Sequence, residues 1–260
     1  MAQALPQDKA SDIWERATEW MRTIKRSDQV NWFVMKRLVK DCEDLAKTDA
    51  VTANLYLAVI YGMTGDIERA EYCLRVVEGN RQVHQARLWR VLVYANSLRA
   101  SQAAALADEA FAHREDVPFV ALMNALSAVG AVHSIVKAAD NAHMRNEVLV
   151  NMTSLLEKNR RAAAVLDKQG LTQQDVTAWM DLAGEVMRNH HLQWLGDGPL
   201  MDVFDDEEDC SVNYRFMVWA TPDEAAKLTF ELTEKVVDHD LDLKPGITVS
   251  FSGSNLHGMV

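Results

Sequence analysis

Between Asn54 and Val77 the chain reads NLYLAVIYGMTGDIERAEYCLRVV, two apolar helical patterns that meet at Thr64-Gly65-Asp66. No other segment restricts the possible folds as much. A glycine just past a helix takes the left-handed backbone conformation without a Cβ penalty. The aspartate after it can accept from the free N–H groups that open the next helix. Ala58 and Ala70 are small where two helices must approach, Tyr61 fills the space beside them, and Leu74 and Val77 extend the second apolar face. The expectation is a helical hairpin. A lone hairpin cannot bury its own faces, so it needs neighbours of the same kind.

Such neighbours are written at a fixed spacing. Tyr94 follows Tyr61 by 33 residues, and Ala103 follows Ala70 by 33. Ala107 and Ala110 continue the second helix of that pair, and Trp89 and Leu92 fill the first. Leu98 stands at the turn, where glycine is expected. A third pair runs from Pro118 to Ala142 with Gly130 as its break. These residues resemble the tetratricopeptide repeat, a helix–turn–helix unit. Leu57, Ala58 and Tyr61 match its first helix, Gly65-Asp66 its turn, and Ala70, Leu74 and Val77 its second helix. The good match lies near residues 51–84, and degenerate copies extend the resemblance to about 49–142. The closing proline of the family is missing; Gly79-Asn80 stands nearby. The resemblance implies stacked hairpins with a groove for protein partners, and flanking helices as caps.

The flanks also read as helix. Ile13, Ala17, Trp20, Met21 and Ile24 recur at spacings of three and four, with Asp12 and Glu15 as an N-terminal capping pair. Ser27 is expected to start a second helix carrying Val30, Phe33, Val34, Leu38 and Cys42. Another runs from Asn146 to Asn159, closed by Lys158, Arg160 and Arg161, and one more from Thr172 to about Asn189.

From His190 the character changes. Gly196-Asp197-Gly198-Pro199 is a turn signal. Ser211–Trp219 alternates as a strand, Thr221-Pro222 starts a helix, and Ile247, Val249 and Phe251 mark another strand. A helical connection of this length suits parallel strands. The expected fold class is α+β: a tetratricopeptide-like helical domain over residues 1–195, an acidic strand–helix–strand module over 200–253 and a tail over 254–260. Two strands and one helix bury little surface alone. The missing element is expected from the Met201–Phe204 segment, the helical part, a second copy, or a partner's strand at an open edge.

Charge narrows the function. From Leu200 onward 13 acidic and 4 basic residues give −9, most of the chain's −11. That quarter repels a phosphate backbone, so no direct nucleic-acid binding is expected, and a basic protein partner would be drawn to it. No apolar run is long enough to cross a membrane, no secretory leader is evident, and Cys42, Cys73 and Cys210 lie far apart, as suits a reducing cytoplasm. No metal or cofactor is expected. The acidic run from Asp202 to Asp209 lacks the spacing of a calcium loop, and His190-His191 lacks a metal-binding motif. No phosphate loop or nucleophile elbow occurs.

The leading expectation is therefore a non-catalytic adaptor, chaperone or assembly factor whose C-terminal module dimerises or adds a strand to a partner. Its candidate contacts are Arg87, Arg90 and Arg99 for a carboxylate-bearing ligand, Trp194 and Trp219 as exposed aromatics, and Asp205 and Asp206 for a basic partner. The alternatives are a metal-dependent hydrolase or nuclease using the Asp202–Asp209 carboxylates, and an acidic inhibitor or immunity protein.

Overall fold

The computed structural model describes residues 6–112, 119–140, 146–193, 198–206, 210–241 and 245–254. Over these residues the chain is α+β, with eleven helices and a small sheet. The helices of the first part are α1 (Pro6–Thr23), α2 (Trp32–Leu45), α3 (Ala50–Met63), α4 (Ile67–Gly79), α5 (Val83–Asn96), α6 (Ala100–Ala112), α7 (Phe119–Ala128), α8 (Val132–Asp140), α9 (Asn146–Lys168) and α10 (Gln173–Asn189). Then come β1 (Leu200–Asp205), β2 (Cys210–Val218), α11 (Pro222–Asp238) and β3 (Ile247–Gly253).

Local chemistry sets the helix ends. The side chains of Asn31, Asp49 and Asp66 each accept from the N–H three residues on. Thr172 with Asp175, and Thr221 with Glu224, form reciprocal capping boxes. At the other ends Gly65, Arg81, Leu98, Gly130, Gly170 and His191 all have left-handed backbone. After each, the next N–H reaches back five residues to a carbonyl, as Asp66 does to Tyr61 (2.9 Å), Arg99 to Tyr94 (2.8 Å) and Leu192 to Met187 (2.8 Å). Leu98 thus adopts the conformation a glycine would take there (φ 47°) while its side chain is buried.

The helices pair in order. α3 packs on α4 and α5, α5 on α6 and α7, α6 on α8 and α10, and α8 on α9. Ala58, Ala70, Ala86 and Ala103 are fully buried, as close helix approach requires. α1 and α2 cover the N-terminal end of this row.

Three helix boundaries differ from expectation. α1 begins at Pro6, so Asp12 lies inside it and pairs with Arg16 (3.0 Å) instead of capping. Ser27 opens a short 3-10 turn, and α2 starts after Asn31. α9 runs past its basic cluster to Lys168 because Ala162, Ala163, Val165 and Leu166 form a further buried face; Arg160 lies outward and pairs with Asp140.

In the sheet β1 pairs antiparallel with β2, and β2 pairs parallel with β3 across the α11 crossover. Alternation puts Met201, Val212, Tyr214, Phe216, Val218, Ile247, Val249 and Phe251 on one buried face. α9 packs on β1 and β2, and α10 and α11 pack on β3. The core around α5 to α10 is therefore continuous with the core of the sheet. The expected shortfall in the C-terminal segment is closed from within. β1 supplies the third strand and the helical part supplies the cover. α9 and α10, before residue 194, and the strands after residue 199 share this core.

Candidate binding groove

One face of the helical row carries an aromatic cluster. Trp14 of α1 stacks on Tyr56 of α3, with ring centroids 4.9 Å apart and planes at 30°. Trp89 of α5 meets Trp14 edge-on at 5.4 Å, and lies 6.2 Å from Tyr56. Each side chain is half-buried, because its own helix packs it against the next while its outer edge faces a groove. Burial pushes the Tyr56 phenol above its ordinary pKa, which keeps it neutral.

The groove has a volume of about 590 Å³ and is lined by α1, α3, α5 and α7. Leu92, Val59 and Ala125 supply further apolar surface, and Asn96 and Asn124 supply amide donors and acceptors. Among the described residues its lining holds none that is charged. A wall of large aromatics with a few amides suits an apolar or aromatic segment of another chain, whose backbone the asparagines can engage.

The arginines expected to line a groove are engaged elsewhere. Arg90 is nearly buried and bridges Glu71 (3.0 Å) and Glu78 (2.8 Å), tying α5 to α4. Arg87 pairs with Glu109 of α6 (3.2 Å). Arg99 reaches Gln102 at 3.5 Å, and its Nε is buried without a partner among the described residues. Arg188 donates through Nη1 to the carbonyls of Ser97 (2.8 Å) and Leu98 (3.0 Å), closing the end of α5. Burial, and then the nearby Arg99 charge, lowers the Arg188 pKa. Arg87 and Arg90 are thus engaged in ion pairs between neighbouring helices.

The other candidates belong to the C-terminal segment, and Trp219 and Asp205 among them have partners of their own. Trp219 lies under the Lys25 ammonium, 3.5 Å from its ring centroid. Asp205 pairs with Lys168 (3.2 Å), Asp202 with Arg215 (3.3 Å), and Asp206 is exposed. Trp194 and Glu207–Asp209 lie outside the described residues. His190 pairs with Glu231 (2.7 Å). Among the described residues no three His, Cys, Asp or Glu side chains converge to hold a metal, and no helix is long and apolar enough to cross a membrane.

The aromatic cluster was the site that sequence reasoning missed, although a signal existed. Tyr56 and Trp89 are 33 residues apart, the same interval that relates Tyr61 to Tyr94. Trp14 lies outside that period, and only the packing of α1 on α3 brings it in. Comparison with family models, with curated proteins and with solved structures found no match to the chain.

Proposed function

We propose that this chain is a non-catalytic protein-binding protein, an adaptor or assembly factor, whose α1–α3–α5–α7 groove takes an apolar segment of a partner. On this reading the hairpins α3/α4, α5/α6 and α7/α8 are tetratricopeptide-like units, and the groove is the inner face of their first helices. The observation that carries it is a groove with no charged residue in its described lining and with Trp14, Tyr56 and Trp89 in one cluster, one each from α1, α3 and α5. Large aromatics half-exposed in a concave wall are the side chains that most often dominate binding energy.

The test is a screen of a random peptide library against the whole chain, followed by titration of the selected peptides. Apolar or aromatic peptides should bind and change the tryptophan fluorescence. Asn124→Arg, at an exposed position in the wall, should weaken binding about tenfold or more with the thermal midpoint unchanged. Leu92→Glu should do the same. A library that yields no binder, or binders indifferent to both substitutions, refutes the reading.

A further inference from the structure

Four of the exposed large apolar side chains sit on only two helices: Trp32 (51% exposed) and Phe33 (78%) on α2, and Phe230 (65%) and Val237 (51%) on α11. On α2 the residues Trp32, Phe33, Lys36, Arg37 and Lys40 are all exposed and fall on one arc at 100° per residue. The opposite arc, Met35, Leu38, Cys42 and Leu45, is buried. No ion pair among the described residues engages Lys36, Arg37 or Lys40. In a chain of net charge −11 residues 32–40 thus present a local surface of aromatics and free cations, with the exposed Glu43 following on the same arc.

The outer face of α11 is its counterpart. Phe230, Glu234, Val237 and Asp238 point away from the buried Ala225, Leu228, Leu232 and Val236. Glu234 and Asp238 have no ion-pair partner among the described residues. Glu231 is taken by His190 and Lys235 by Glu185, and Lys227, one turn earlier, is the exposed base on this face. The two faces match in length: residues 32–40 and 230–238 each span about 12 Å of helix. Within the chain α2 packs on α1 and α3, and α11 packs on β3 and α10, so the two faces do not cover each other.

We infer that α2 of one copy packs against α11 of a second copy, in a twofold dimer. The charges are opposite, each face carries two large exposed apolar side chains, and both surfaces are on every copy. One contact between two short helix segments is small for a stable interface. A twofold axis makes it twice, with α2 on the partner's α11 and α11 on the partner's α2. An anionic lipid surface would also meet the α2 cations, but it leaves the acidic, apolar face of α11 uncovered and is repelled by the chain's net charge.

Sedimentation velocity of the whole chain at low salt tests this across micromolar concentrations. The expected species has twice the 29.2 kDa of the chain. The triple variant K36E/R37E/K40E and the double variant E234K/D238K should each be monomeric, with the helical circular dichroism unchanged. Mixed in equal amounts, they should recover the dimer, because each reversed helix then faces its complement. A monomeric wild type, a dimer that survives both reversals, or a mixture that stays monomeric overturns the inference. So does a monomer whose α2 cations are needed for capture by phosphatidylcholine–phosphatidylserine vesicles, which would give α2 to a lipid surface. A monomer that still binds groove peptides overturns the dimer alone and leaves the groove reading intact.

Discussion

Gly184 lies directly beneath the carbonyl of Leu98: a Cβ built on Gly184 would stand 2.2 Å from that oxygen and 2.6 Å from the Leu98 Cβ. This contact presses α10 against the turn between α5 and α6, where Arg188 also donates to the same carbonyl. Backbone is in the way, so the clash has no side-chain rotation to relieve it. Gly184→Ala should therefore separate the two elements and cost about 2 kcal/mol, despite alanine's better helix propensity. In a chain of this size the thermal midpoint should fall by roughly 4–8 °C. An unchanged midpoint by differential scanning calorimetry would disprove the close packing.

Leu98 and Arg81 share left-handed backbone, at φ 47° and 65°, but not their surroundings. Arg81 is exposed, so Arg81→Gly should relieve the backbone and stabilise the protein by about 0.5–1 kcal/mol. Leu98→Gly relieves the same strain yet empties a buried site, a loss of about 2–5 kcal/mol for leucine. The second effect is the larger, so the sign should reverse between the two variants. Chemical denaturation of both, read side by side, checks it.

These two positions show what the sequence could and could not disclose. The hairpin at Gly65 was legible because glycine, a capping aspartate and flanking alanines all agree. The turn at residue 98 was legible only through its spacing, since leucine hides the conformation; burial against α10, not local propensity, fixes it there. The strand–helix–strand segment was legible from alternation and the Thr-Pro helix start, and its parallel pairing followed from the length of the connection. What covers the sheet was not legible, because Tyr214 and Phe216 declare only that they are apolar, not that α9 and α10 are their neighbours. The same holds for the groove. Trp14 is one of seven tryptophans, and nothing local distinguishes a cluster member from a core residue.

Arg90 holds two carboxylates, Glu71 and Glu78, in a site where its side chain is 13% exposed. Arg90→Met should leave both acids facing each other without compensation and destabilise by about 1–3 kcal/mol, less than the full buried-pair penalty because Glu78 retains some solvent. Adding Glu71→Gln and Glu78→Gln should restore most of the loss. Non-additivity in that triple-variant cycle is the measurable signature.

The Glu185–Lys235 contact (2.7 Å) joins α10 to α11. Its hydrogen bond lowers the Glu185 pKa and raises that of Lys235. The glutamate's contribution is present above its unfolded pKa and is lost as pH falls through the lower folded value. The lysine's is present below its unfolded pKa and is lost as pH rises through the higher folded one. Both groups are partly solvated, so the pair is worth about 1 kcal/mol or less. Lys235→Met should lower the thermal midpoint slightly at pH 7 and leave it near wild type at pH 3. Equal shifts at both pH values would show that the loss is one of packing.

Burial pushes the Cys42 thiol up to about 12 and the Cys73 thiol up to about 11, while Cys210 is only half-buried at the start of β2. A thiol reagent at pH 8 should label one cysteine of the native chain and all three in denaturant. Rapid native labelling of Cys42 or Cys73 by mass spectrometry would mean that the first hairpins open far more readily than their packing implies.

The row of hairpins ends on a sheet that turns its apolar side inward, onto α9 and α10. A terminal helix pair in such a row offers a surface onto which another pair could be duplicated; this sheet offers a mostly polar back, with Asp202, Asn213 and Arg215 beside the exposed Leu200 and Phe204. A helix pair copied at that end would have to displace the sheet from α9 and α10. Lengthening inside the array leaves in place the seat that α9 and α10 provide.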